Sequence, residues 1–402
     1  MNIEKIGCEL SEVLNKQIQS IREEVIANRR YFHMHPEIGF DTENTEKKVR
    51  HILTKEGIQL IQSKVGVLGL IKGSDSSRMI ALRADMDALC LQEDNEVPYK
   101  SIYPNRMHAC GHDGHTAMLL GAAKILQNNR ANLPVDVLLI FQPAEEGPNL
   151  GGARIIVNDL EKQGYADKIQ YIFSLHLFND FEIGKVGVRY GSLMSSTDEF
   201  DIKIIGKGGH AGQPHKTVDA LSIGTKFVAA IESFMARRKD PFDPAVCSIG
   251  IFNSGSAKNI VAETAMISGT IRCQTEKTRE YILENIEKIL KGICEGFSAN
   301  YRLEVLRGIP VLVNDADATT YAEELSLQAV GKENTFRIPE ATMGAEDFAY
   351  FAQKIPASFL WIGSGNKEKG FTYLAHHPKF DFDEDALLIG IKEFCYLALG
   401  LK

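Results

Sequence analysis

Three apolar runs, at residues 79–84, 135–141 and 169–175, are the tightest constraint on how this chain can fold, because each passes directly into side chains that bind metals. Runs that are apolar on both faces and separated by helical segments fit a parallel sheet covered on both sides. Such sheets bind ligands outside the carboxyl ends of their strands. The first run leads into Asp85 and Asp87, the second through QPAEEG into Glu145 and Glu146, and the third into His176. The pattern therefore predicts that these groups meet in one crevice.

Helical periodicity covers residues 12–32, with Leu14, Ile18, Ile21, Val25 and Ile26 near one face, and further helices are expected at 42–56, 114–128 and 152–163. From about Gly191 the pattern changes. Residues 198–205 alternate polar with apolar, as a one-sided strand does. A helix at 218–238, strands at 246–252 and 264–272, a helix at 277–297 and a strand at 301–306 follow. That β-α-β-β-α-β order is that of a ferredoxin-like split unit. A helix near 319–330, a strand at 358–362 and a closing helix from Asp383 then restore the α/β character. The expected fold class is α/β, with a mostly parallel-sheet catalytic domain in two segments, 1–190 and 309–402. An inserted ferredoxin-like α+β satellite domain, 191–308, is expected to act as a lid or dimerisation unit.

The segment HACGHDGH places His108, Cys110, His112, Asp113 and His115 where a loop enters a helix, and His376 and His377 arrive from the far end of the chain. Thiolate, imidazole and carboxylate together suit Zn²⁺ or a similar transition ion. The donors outnumber the needs of one four-coordinate ion, so two divalent ions with a shared ligand are expected, a pairing that serves hydrolysis. In AEEG one carboxylate can bind metal while its neighbour, pointing elsewhere, stays free as a general base. Taken singly, each group also has a plain reading: His176 as a core histidine, Glu145 and Glu146 as solvated charge, Cys110 as a buried thiol. Their coincidence at strand ends is what argues for a metal site. His33 and His35, just before Pro36, are read as structural.

Composition narrows the partners. Lys and Arg number 45 against 53 Asp and Glu, a net charge of −8, so no overall positive field favours nucleic acid. No apolar run approaches the ~18 residues that span a bilayer, and the first residues lack the apolar core of a signal peptide. A cytoplasmic protein with neither membrane nor nucleic-acid partner is expected. Seven widely spread cysteines without a C-x-x-C pair argue against a disulfide framework.

LRADMDAL, MHACGHDGHTAMLLGAA, FQPAEEG, GKGGHAGQPH, MGAEDFAYF and HHPKFDFDE, preceded by RRYFHMHPEIGF, occur in that order along nearly the whole chain. Together they resemble the aminoacylase, hippurate hydrolase and auxin-conjugate hydrolase branch of the dinuclear-metal aminoacylase/carboxypeptidase superfamily. The resemblance implies that Cys110, His112, Glu146, His176 and His376 hold two metals, with Cys110 bridging, and that Glu145 is the proton-shuttling base. Asp87 would be an orienting carboxylate near the site, as metal sites generally need. It further implies that His210 polarises the scissile carbonyl, in some relatives from a partner subunit, and that Asn259 and Arg272 grip the substrate carboxylate. Arg272 reads equally well as a strand-end surface charge, and Gly208–Gly209 as a plain loop. Cys90 and Ala262 stand where the family usually has proline, and Asn149–Leu150 also depart from its pattern.

The expected activity is that of a metal-dependent amidohydrolase that cleaves a small N-acyl amino acid with a metal-activated water, using Zn, Mn, Co or Ni, in a possible homodimer joined through the satellite domain. A metallo-dipeptidase or carboxypeptidase using the same site is the alternative within the enzyme class. A catalytically idle metal-storing protein is a rival of another class, disfavoured by the free carboxylate at Glu145. A serine hydrolase is disfavoured by the lack of a G-x-S-x-G elbow.

Overall fold

The computed structural model describes residues 6–147 and 151–401, so Asn149 and Leu150 lie outside the described residues. The chain divides into two units, Met1–Gly191 with Val313–Glu340 and Asp347–Lys402, and Ser192–Leu312 with Ala341–Glu346.

In the first unit an eight-stranded sheet runs in the order Gln59–Ile61, Val67–Ile71, Val135–Gln142, Asp75–Asp85, Ile169–Glu182, Ala357–Gly365, Val186–Val188, Thr335–Arg337. The four strands from Val135–Gln142 to Ala357–Gly365 are mutually parallel, and antiparallel neighbours flank them. Every residue of Val135–Gln142 and of Ala357–Gly365 is buried, as a sheet covered on both faces demands. Helix His112–Asn128 packs against Ala386–Leu399 at very close range. A Cβ on Gly390 would lie 2.0 Å from Met118 Sδ, and one on Gly121 would lie 2.5 Å from Ile391 Cδ1.

The periodicity at 12–32 resolves into two helices, Cys8–Ser20 and Arg22–Met34. Between them the Ile21 amide bonds Ile18 in a tighter turn, which redirects the apolar stripe without exposing Ile18, Ile21 or Val25. The strand expected at 169–175 continues to Glu182. Strands of three residues, such as Val186–Val188 and Thr335–Arg337, are too short to show a period in sequence.

The second unit has a four-stranded antiparallel sheet in the order Ala245–Ser254, Thr264–Cys273, Ser196–Ile205, Asn300–Arg307. Alternate residues of Ser196–Ile205 are buried, and Phe200, Ile202 and Ile204 meet Phe227 and Ile231 of helix Ala220–Arg237 and Ile282 and Ile286 of helix Glu276–Gly296 in one core. Asp219 and Thr275 cap these helices with their side-chain oxygens. A buried two-pronged pair, Arg279 to Asp198 at 2.7 Å for each bond, ties the second helix to the sheet. Residues Ala341–Glu346, which the sequence leaves with the second catalytic segment, belong to this unit: Thr342 N donates to Leu193 O, and Ser195 N to Gly344 O. Among the described residues no helix is long and apolar enough to cross a membrane.

One buried acid of the first unit carries a stability consequence. Glu393, on Ala386–Leu399, has no exposure; it bonds Ser326 Oγ, while its Oε2 has no partner. Burial pushes it up from 4.5 to about 7. Because its folded-state value is raised, its contribution to stability is whole below pH ~4.5 and is lost as the pH rises through about 7. Glu393→Gln should therefore raise stability by on the order of 2 kcal/mol at pH 8 and by little at pH 5. Calorimetry at the two pH values checks this, and equal changes in Tm at both would refute it.

Candidate metal centre

The ends of the central strands supply the site because their ladders stop at different places. Asp75–Asp85 pairs with Ile169–Glu182 only as far as Arg83 opposite Ser174, whereas Ile169–Glu182 continues against Ala357–Gly365. His176 is thus not at a strand end, as the sequence suggests, but on a strand that has lost its neighbour on one side. Cys110 and Gly111 precede helix His112–Asn128, and Gly111 takes φ +84 at its start. Glu145 and Glu146 follow Val135–Gln142 after Ala144, which is held at φ +58. His376 also has a positive φ, +67, and its amide bonds Ala109 O at 2.7 Å, which hooks this distant segment beside Cys110. Non-glycine residues in this conformation persist only where the surroundings over-determine them, and functional sites are where such strain collects.

Ligand atoms of Cys110, His112 and His176 lie within 4.8 Å of one another, and so do those of Cys110, Glu146 and His376. The two groups share Cys110, so one sulfur belongs to both. His112 Nδ1 contacts the Asp87 carbonyl at 2.8 Å and His176 Nδ1 the Leu177 carbonyl at 2.9 Å. A carbonyl can only accept, so in each neutral ring the proton sits on Nδ1 and the lone pair on Nε2. His112 Nε2 is buried with no hydrogen-bond partner, and His176 Nε2 lies 3.4 Å from Cys110 Sγ. An orphaned buried acceptor beside a thiol and two carboxylates fits a bound cation.

The electrostatics agree. Hydrogen bonds to Cys110 and to Glu146, the latter at 2.7 Å, hold His376 up at about 10 although partial desolvation opposes it. Burial raises Glu146, but His376 and His112 outweigh it and leave the carboxyl below its ordinary value. A carboxylate held in its charged form beside the shared sulfur is a donor that suits a divalent ion. Asp87 orients the glutamates: its two oxygens accept the amides of Glu145 at 2.9 Å and Glu146 at 3.1 Å. Glu145 Oε2 lies 3.9 Å from His112 Nε2.

Other histidines of the motifs have different partners. His115 binds Asp85 through Nδ1 at 2.6 Å and accepts the Leu177 amide on Nε2 at 2.9 Å, so neither nitrogen is open to a metal. Asp113 is taken by Arg29 and His33, each at 2.8 Å. Burial and Arg29 lower His33, yet its bonds to Asp113 and Glu93 prevail and lift it to about 9. His377 stacks on Tyr373 at the surface. Arg83, Gln142 and Asp347, to which the sequence assigns no role, form a buried cluster beneath the site; Arg83 and Asp347 sit inside the LRADMDAL and MGAEDFAYF motifs, and that membership was their only signal.

In the second unit His210 is exposed on a two-residue strand, Gly209–His210, paired with Ile260–Val261, and the Ala211 amide bonds Asn259 O at 3.1 Å. His210 and Asn259 are thus neighbours beyond the Ile205–Thr264 end of the sheet. Arg272 pairs with Thr197 near the other end of the same strand. Eight residues at about 3.3 Å each separate Arg272 from Thr264, so one small molecule cannot touch both ends of one sheet.

Comparison with known proteins gives a match to the family described as Peptidase family M20/M25/M40 over residues 81–400. Thermostable carboxypeptidase 1 of Saccharolobus solfataricus is 35% identical, covering 97% of this chain and 98% of that protein. Hippurate hydrolase of Campylobacter jejuni is 36% identical, covering 92% and 94%. Among solved structures, the YXEP protein of Bacillus subtilis, described as a dinuclear metal binding peptidase from the M20 family, superposes with a TM-score of 0.82 at 32% identity, covering 95% of this chain and 98% of that one.

Proposed function

The chain belongs to peptidase family M20/M25/M40, a metal-dependent hydrolase acting on amide bonds, and from that premise we propose that it hydrolyses N-acyl amino acids or similar small conjugates to a carboxylic acid and an amine. The observation that carries this reading is the sulfur of Cys110 shared by two ligand groups, with Glu145 beside them. Cys110, His112, Glu146, His176 and His376 hold two divalent ions, for which Zn, Mn, Co and Ni all suit the donors. When bound, the ions polarise the scissile carbonyl and acidify water. Glu145 takes the proton of the attacking water on a carboxylate oxygen and returns it to the leaving nitrogen. Asp87 keeps that carboxylate in place through the two backbone bonds.

His210 donates to the developing oxyanion, Asn259 helps grip the substrate, and Arg272 takes its free carboxylate with two parallel bonds. The separation of His210 and Asn259 from Arg272 supports a homodimer joined through the satellite unit, in which His210 and Asn259 of one subunit serve the centre of the other. A cytoplasmic setting suits the seven unpaired cysteines. The carboxypeptidase name of the Saccharolobus relative favours one second reading, removal of a residue from a peptide end by the same groups.

Glu145→Gln should keep two ions per chain by metal analysis and lose roughly 10²–10⁴ in kcat on N-acetyl or N-benzoyl amino acids. A near wild-type rate would remove Glu145 from the role of base. A panel that ranks acyl-amino acids below dipeptides would favour the second reading. Size exclusion with light scattering should give a dimer, and a strict monomer of full activity would exclude a cross-subunit His210.

A further inference from the structure

The catalytic glutamates sit on a loop that leaves the sheet at Gln142 and returns to helix Ala153–Lys162. Both ends of that loop are bound by one side chain from far along the sequence. Gln142 Nε2 donates to both oxygens of Asp347 at 2.8 Å, and the Ala153 amide donates to Oδ2 at 3.1 Å. The ends also touch each other: the Gly152 amide bonds Ala144 O at 3.2 Å, and a Cβ on Gly152 would lie 2.0 Å from Pro143 O. Gly151, at φ +73, passes so close to Asp347 that a Cβ there would sit 2.0 Å from Oδ2. Only glycine fits that approach.

We propose that Asp347 is a positioning residue for the catalytic glutamate, closing the neck of the loop that carries Glu145 and Glu146. The inference rests on Glu145 being the base. Asp87 fixes the middle of the loop through two amides, and Asp347 fixes its neck, so the carboxylates are held at three points along a short stretch of chain. The clamp is itself anchored. Arg83, with no exposure, donates to Asp347 at 3.0 Å, to Gln142 at 2.9 Å and to Asp85 at 2.7 Å, and Asp85 in turn holds His115 on the helix that begins with His112. Burial raises Asp347 to about 6 against the pull of Arg83, and its two oxygens accept all these bonds.

The chain's connectivity gives the clamp a second consequence. Asp347 belongs to the catalytic unit, and the residue before it, Glu346, closes the segment Ala341–Glu346 that pairs within the satellite unit. A single peptide bond therefore links the segment Ala341–Glu346 to the clamp.

The test uses the full-length, metal-loaded protein. Asp347→Asn preserves size but replaces one acceptor with a donor that faces Gln142 Nε2 and either Arg83 or the Ala153 amide. It should lower kcat on an N-acyl amino acid by roughly 10–100-fold, the range typical of groups that support metal sites, while KM changes less than about twofold and two ions remain bound. Hydrogen exchange should rise at the Glu145, Glu146 and Ala153 amides. Gly151→Ala, which pushes the chain off Asp347 without altering a charge, should reproduce both effects and serves if the first variant fails to fold. Unchanged exchange at these amides, or a kcat that falls only in proportion to lost folded protein, would overturn the proposal. The exchange readout needs no substrate. A wild type inactive on every acyl-amino acid and dipeptide tested would sink the functional reading, and the loop clamp would still be decided by exchange.

Discussion

The guanidinium of Arg83 is the contact on which the catalytic unit depends. It lies wholly buried at the carboxyl ends of two parallel strands and bonds Asp85 on its own strand, Gln142 on one neighbour and Ser174 within the longer strand on the other side, with Asp347 arriving from the second segment. Removing a buried charge from its partners is strongly destabilising, because the remaining charges keep their desolvation cost. Each partner of Arg83 therefore fixes the others, and the strand ends that carry the metal-binding groups cannot drift apart. The cost of assembling acids beneath a metal site is offset by one cation that reaches all of them.

A second buried charge cluster supports the start of helix His112–Asn128. Arg29 bonds Asp113 and Asp381, and His33 lies between Asp113 and Glu93. Asp113 is in the first turn of the helix, where a carboxylate also complements the helix dipole. The N-terminal helix and the closing segment thereby meet at the residue next to His112. Within RRYFHMHPEIGF, Arg29 and His33 thus help to set the position of a helix whose first residue belongs to a ligand group.

Much of this was legible in the sequence. Continuous apolar runs identified the parallel strands because burial on both faces leaves no polar alternation, and the satellite unit announced itself through strands with one wet face. Helix and strand limits agreed to within a few residues for most long runs, whereas the strand expected at 169–175 runs on to Glu182. The break at Ile21 and the three-residue strands were not legible, since a tight turn that keeps its apolar residues buried leaves the period intact and three residues carry no period. Ala341–Glu346 was assigned along the chain by continuity, but its backbone bonds go to Leu193 and Ser195, contacts between residues about 150 positions apart.

The sequence by itself determined which chemistry was present: a thiol, imidazoles and paired carboxylates following buried strands, and a strand-helix order compatible with one inserted unit. Residue type and spacing could not choose among like residues. His112 and His115 lie three apart on one helix and are equivalent in periodicity, and only the family resemblance set His112 apart. Only the tertiary structure decided that Asp85 and the Leu177 amide occupy both nitrogens of His115, while a single carbonyl takes Nδ1 of His112 and leaves Nε2 open. The same holds for Asp347, whose importance comes from the two loop ends it binds. The physical reason is common to both: a polar side chain's role is set by which of its hydrogen-bonding positions the fold has already filled, and those partners come from strands and loops distant in sequence.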